Sequence, residues 1–120
     1  MIKTVNVGGK EIALRASALT SFLYKKLFGK DIIKVLSNIK DSLEIDSLLE
    51  LAYVMNLQAN NAEALDDIMH GRTSVMSFYE WLDQFEYSDL IDANFIATVT
   101  SAWIDNQKTS TNAKNQQRPQ

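Results

Sequence analysis

Between Leu43 and Leu57 the sequence LEIDSLLELAYVMNL sets Ile45, Leu48, Leu49, Ala52 and Met55 at intervals of three and four, which is one stripe of an α-helix. Leu51, Val54 and Leu57 fall nearly opposite, where a surface helix carries charge. A helix apolar on two sides needs covering on two sides. Either the rest of the chain wraps it, or one side is kept for a partner. The helix is expected to start near Leu43, with Ser47-Leu48-Leu49-Glu50 offering a capping-box start as the alternative, and Asn60-Asn61 is expected to end it.

The preceding segments supply its natural cover. Ile2–Val7 and Lys10–Ala16 alternate apolar and polar residues around Gly8-Gly9, a two-residue hairpin signal because the primed turns require positive φ, which glycine adopts freely. An isolated hairpin is marginal in water, so its apolar face must lie on a helix or another sheet. Ser17 is placed to cap a helix Ala18–Phe28, read with Leu19, Phe22, Leu23 and Leu27 inward and Gly29 as its C′ residue. Asp31 caps a short helix Ile32–Ile39.

Beyond the central stretch, Ala62–Met69 reads as a short helix ending at His70-Gly71, with the imidazole favouring the helix dipole or bonding a last-turn carbonyl. Ser77-Phe78-Tyr79-Glu80 is a second capping-box pattern, with Ser74 as an earlier alternative start. Phe78, Trp81, Leu82 and Phe85 share one face of that helix, as core or as a partner anchor, and Tyr79, Glu80, Asp83 and Glu86 share the other. A final helix from Ser88 or Asp89 to Asn106 carries the stripe Ile91, Phe95, Val99 and Ala102, widened by Ile96 and Trp103. From Gln107 the periodicity ends, and 107–120 is expected to be a disordered polar tail. The expected fold is mostly α with a short N-terminal β-hairpin (α+β), a compact bundle of five to six helices forming one domain over residues 1–106.

Composition narrows the chemistry. With 46% hydrophobic and 22% charged residues the chain is expected to fold as a globular domain. No apolar run approaches a membrane span, and the N-terminus lacks the apolar core of a signal peptide, so a cytoplasmic location is expected. Zero cysteines exclude disulfides and thiol chemistry, and the single histidine excludes His-cluster metal sites. Gly8-Gly9 belongs to neither a GxxxxGK[ST] nor a GxGxxG pattern, and the acidic patches lack EF-hand spacing. No catalytic residue, cofactor or metal is expected, nor a nucleic-acid or membrane partner. Charge is unevenly spread: residues 1–40 carry a net +6, residues 41–106 a net −12 and the last fourteen a net +3. That asymmetry favours contacts between unlike regions, within one fold or head to tail in a homo-oligomer.

Three segments together resemble a known family. Val5 to Ser17 reads V-x-V-x-G-K-E-I-x-L-R-x-S, Phe28 to Ile32 reads F-G-K-D-I, and Leu48 to Met55 reads L-L-x-L-A-Y-x-M. Their order and apolar positions, over roughly residues 2–105, resemble the tail assembly chaperones of long-tailed phages and of prophages in Gram-positive bacteria. The resemblance implies a non-enzymatic protein of the host cytoplasm that binds the tape measure protein, helps recruit tail tube subunits and is absent from the mature virion. It also implies a longer form made by ribosomal frameshifting, for which a GCA AAA AAC coding of Ala113-Lys114-Asn115 would supply a slippery heptamer. The family has no ligand motif to carry over by residue. The partner-binding candidates are therefore chosen from the two wide apolar faces: Leu51, Val54, Leu57, Phe95, Ile96 and Trp103, with mutual packing as their alternative role. A small connector or ring-forming subunit retained in the particle is the competing function.

Overall fold

The computed structural model describes residues 2–37, 45–60, 66, 68, 70–71 and 76–117, with side chains for these up to residue 34 and between 45 and 105. Strands β1 (Ile2–Val7) and β2 (Lys10–Arg15) form an antiparallel hairpin, followed by helices α1 (Ala18–Phe28), α2 (Ile32–Ser37), α3 (Ile45–Asn60), α4 (Phe78–Leu82), α5 (Tyr87–Leu90) and α6 (Ala93–Gln117). The fold is mostly helical, as the periodicity predicts.

The hairpin closes on Gly8 and Gly9, both at positive φ (56° and 85°), so the turn has the conformation that the Gly-Gly pair implies. Its register pairs Val5 with Ile12, Lys3 with Leu14 and Val7 with Lys10. Paired residues point to the same side, so Val5, Val7, Ile12 and Leu14 bury one face while Ile2, Thr4, Asn6, Glu11 and Arg15 stay exposed on the other. A lysine stands at each end of the buried face. Lys3 Nζ meets Asp105 Oδ2 of α6 at 2.6 Å, and Lys10 Nζ donates to Gln84 Oε1 at 3.1 Å and lies 5.6 Å from the Phe85 ring centre.

Helix α3 is the centre of the molecule: β2, α1, α4 and α6 all pack against it, and β1 lies along α6. It is buried almost all round, from Ser47 to Asn56, which answers the two-sided pattern of its sequence. The helix already runs from Ile45 through Ser47, so Ser47 is not its N-cap, and the earlier start near Leu43 falls on residues outside the described set. Much of Ala62–Met69 also lies outside that set. At its end His70 Nδ1 sits 2.9 Å from the Asp66 carbonyl, the last-turn contact expected of it.

Local signals fix the helix ends. Ser17 closes a capping box with Thr20, Gly29 adopts the left-handed C-cap at φ 68°, Asp31 Oδ1 accepts from Ile33 N at 2.9 Å, and Ser77 Oγ accepts from Glu80 N. Ser77, not Ser74, is the cap of α4.

Two expectations are corrected. Phe22 does not face inward; it is 68% exposed, and Thr20, Leu23 and Tyr24 form the buried face of α1. The reason is a polar one: Thr20 Oγ1 donates to Gln58 Oε1 at 2.6 Å and accepts from Ser17 N, while Gln58 Nε2 donates to Ser17 Oγ at 3.0 Å. This closed loop turns Thr20 toward α3 and Phe22 away. Secondly, the last helix does not run unbroken from Ser88 or Asp89. α5 ends at Leu90, and α6 begins at Ala93 after Asp92 Oδ2 accepts from Asn94 N at 2.9 Å. Leu90 is buried in consequence, and Ile91, expected to lead the apolar stripe, is exposed. The bounds of α6 are Ala93–Gln117, and its sequence contains no glycine or proline.

Candidate partner-binding surface

The six candidates chosen from the sequence are placed by this architecture. Leu51 and Val54 are 0% exposed, and Phe95 and Trp103 are buried as well. Leu57 and Ile96 are half-buried and packed against the same core. The structure therefore brings the two wide apolar faces together across the α3 and α6 contact, with the hairpin closing the remaining side. Leu51, Val54, Phe95 and Trp103 are thus held in the core of the folded monomer, whereas Leu57 and Ile96 keep part of their surface outside it.

The charge asymmetry is partly absorbed inside the chain. Lys3 on β1 pairs with Asp105, and Lys30 Nζ after α1 reaches Glu50 Oε1 on α3 at 3.1 Å, each joining the basic N-terminal region to the acidic region. Both pairs retain solvent contact, so their worth is small, about 0–1 kcal/mol each.

What remains outside is a set of large apolar side chains: Ile2, Phe22, Ile33, Met76, Tyr79, Tyr87, Ile91 and Ile104. Tyr79 is the most open, at 80%. It borders a groove of about 320 Å³ whose walls come from three elements: Leu27 and Phe28 at the end of α1, Glu50 and Tyr53 on α3, and Ser77, Phe78 and Tyr79 at the start of α4. The rings brace one another. Phe28 and Phe78 meet edge to face at 5.3 Å, Tyr53 lies 6.1 Å from Phe28 and 5.5 Å from Phe78, and Tyr79 lies 5.8 Å from Phe78. Behind them Trp81 stacks on Phe78 at 6.4 Å and sits edge-on to Phe85 at 5.1 Å.

The polar part of the groove is acidic. Glu50 is tucked in, its side chain 13% exposed, and accepts from Tyr24 Oη at 2.9 Å and from Lys30 on the same Oε1. Tyr53 Oη donates to the Met76 carbonyl, and burial together with the nearby Glu80 carboxylate pushes its phenol above the ordinary tyrosine range. A second cavity, about 230 Å³, lies between β2, α3 and the end of α4, lined by Ile12, Asn56, Leu57, Trp81 and Phe85 among others.

The sequence placed Phe78 in the right face but not in the groove. Phe28, Tyr53 and Phe78 are separated by at least two dozen residues at each step. No local periodicity connects them. The available signal was chemical: Tyr79 is an aromatic in an otherwise acidic helix face, next to Glu80 and Asp83. No protein family, curated protein or solved structure matches this chain.

Proposed function

We infer that the chain is a non-catalytic assembly chaperone of the phage tail kind, which captures the tape measure protein in the host cytoplasm, helps recruit tail tube subunits and leaves before the virion is finished. The reading rests on the resemblance carried by Val5 to Ser17, Phe28 to Ile32 and Leu48 to Met55. The structural observation that supports it is the amount of large apolar side chain left outside a closed core, with Phe22, Ile33, Tyr79 and Tyr87 each more than half exposed. A reversible holder of a long, helix-prone partner needs such surface. The contact residues are assigned to this exposed set and the groove at Tyr79, in place of Leu51, Val54, Phe95 and Trp103.

The test is co-expression with a tape measure protein from the same genome. The expected result is a soluble complex, tape measure precipitation when the chain is omitted, and no trace of the chain in purified particles by mass spectrometry. Tape measure solubility independent of the chain would overturn the reading. Retention of the chain in finished particles would favour a connector or ring-forming subunit instead.

A further inference from the structure

We propose that the groove between Phe28, Tyr53, Phe78 and Tyr79 receives an arginine side chain from a helical segment of the partner, with the guanidinium pairing to Glu50. The proposal rests on the partner-capture reading above and deepens it by naming the chemistry recognised.

Two properties of the groove select the occupant. Its volume, about 320 Å³, suits one large side chain, and its aromatic walls offer an apolar bed for an alkyl stem. Its polar end is a carboxylate. An all-apolar occupant would strip water from Glu50 and Ser77 and return no hydrogen bond. A cation on a long stem avoids that loss, and the ring faces of Tyr79 and Phe78 favour positive charge over them.

Glu50 has acceptor capacity left. Oε1 already takes Tyr24 and Lys30, whereas among the described residues the contact to Oε2 is the longer one from Lys30, at 3.5 Å. Lys30 marks where a cation rests on this carboxylate in the free protein. A guanidinium entering beside the rings meets Oε2 and replaces Lys30. Arginine is favoured over lysine because its planar group stacks on aromatic faces and forks onto a carboxylate. The Glu80 carboxylate, whose Oε1 accepts from the groove residue Ser77 Oγ at 3.1 Å, adds a second negative charge beside the groove.

The experiment uses the full chain and two synthetic helical peptides that differ at one central position, arginine in one and its neutral isostere citrulline in the other. In an NMR titration the shifts are expected at Leu27, Phe28, Phe78 and Tyr79, with the arginine peptide binding about fivefold tighter or more. Tyr79→Ala, at a position too exposed to matter for folding, should weaken both peptides. Glu50→Gln should erase the difference between them, and Lys30→Ala, which frees the carboxylate, should widen it. Equal affinity of the two peptides for the unmodified chain, shifts confined to another face, no shift at all, or an unchanged difference in Lys30→Ala would each overturn the proposal. If the arginine peptide binds here while the tape measure protein is not captured, the groove assignment stands and the chaperone reading falls.

Discussion

Trp81 donates its indole N–H to the Oδ1 of Asn56 at 3.0 Å, and the same amide donates through Nδ2 to the Ala13 carbonyl at 2.8 Å. One buried side chain on α3 thus ties α4 to β2. The Trp81 link is buried and the Ala13 link partly so, and an unpaired polar group there is costly. Asn56→Ala leaves the indole N–H and the strand carbonyl without partners and is expected to cost about 2–4 kcal/mol in urea unfolding. Asn56→Asp keeps the acceptor for Trp81 and loses the donor to Ala13. It should also be destabilised, and Trp81→Phe should cost less in the Asn56→Ala background than in the unmodified chain. Additive losses would show that the two residues act independently.

The second buried relay has a different symmetry. Thr20, Gln58 and Ser17 bond to one another in a loop at the start of α1. Thr20→Val keeps the shape and removes the hydroxyl, leaving Gln58 Oε1 and Ser17 N unpaired, and is expected to cost about 2–3 kcal/mol. Combining it with Gln58→Leu removes both sides of the strongest bond together. The double variant should be more stable than the sum of the singles predicts, because it no longer buries an unpaired Gln58 oxygen, although Ser17 N stays unpaired in both Thr20→Val and the double variant. Thermal or chemical denaturation of the four proteins measures this directly.

Phe22 and Leu23 are neighbours in sequence and opposites in energy. Leu23 is fully buried, so Leu23→Ala should lose about 2–5 kcal/mol, whereas Phe22→Ser should change stability by no more than about 0.5 kcal/mol. Leu51→Asp, which places a charge in the core, is expected to unfold the chain. A loss of partner capture on changing Leu51 therefore reports folding, and a loss on changing Phe22 or Tyr79 reports contact. Circular dichroism run beside the capture assay separates the two.

These pairs also show what the sequence makes legible. Turns and caps are local chemistry, and Gly8-Gly9, Ser17, Gly29, Asp31 and Ser77 do what their residue types require. The two-sided pattern of α3 correctly demands cover on both sides. Hydrophobicity alone misplaces Phe22, because the orientation of α1 is decided by Thr20 reaching Gln58, a partner 38 residues away. It misplaces Ile91 because Asp92 restarts the helix one turn later than a continuous stripe assumes. The groove is invisible for the same reason: Phe28, Tyr53 and Phe78 meet only through tertiary packing, and each alone reads as an ordinary core aromatic.

At the hairpin tip two costs are separable. Gly8 sits at φ 56°, and a β-carbon there would lie 2.5 Å from Asp89 Oδ2, whereas Gly9, at φ 85°, faces open space. Gly9→Ala should carry the left-handed backbone cost alone, about 1–2 kcal/mol. Gly8→Ala adds displacement of the Asp89 carboxylate and should be worse than Gly9→Ala. In an Asp89→Ala background that difference should close. A Gly8→Ala loss that is insensitive to Asp89 would mean that the turn and α5 do not press on each other.

Tyr53 gives the fold a pH dependence at its alkaline end. Its phenol is raised above the ordinary value of 10.0, first by burial and then by the Glu80 carboxylate. The folded state therefore holds this proton more tightly than the unfolded state does. Below about pH 10 both states keep the proton and the contribution to stability is intact; as pH rises above that point, the unfolded chain ionises first and stability falls until the folded phenol has titrated. Tyrosinate absorbance should show a late phase that Tyr53→Phe removes. Tyr53→Phe should also flatten the alkaline fall in unfolding free energy, at the expense of the hydrogen bond to the Met76 carbonyl near neutrality. Glu80→Gln removes the secondary cause and leaves the burial. It should move the late phase toward lower pH without abolishing it, and a phase unmoved by Glu80→Gln would assign the whole shift to burial.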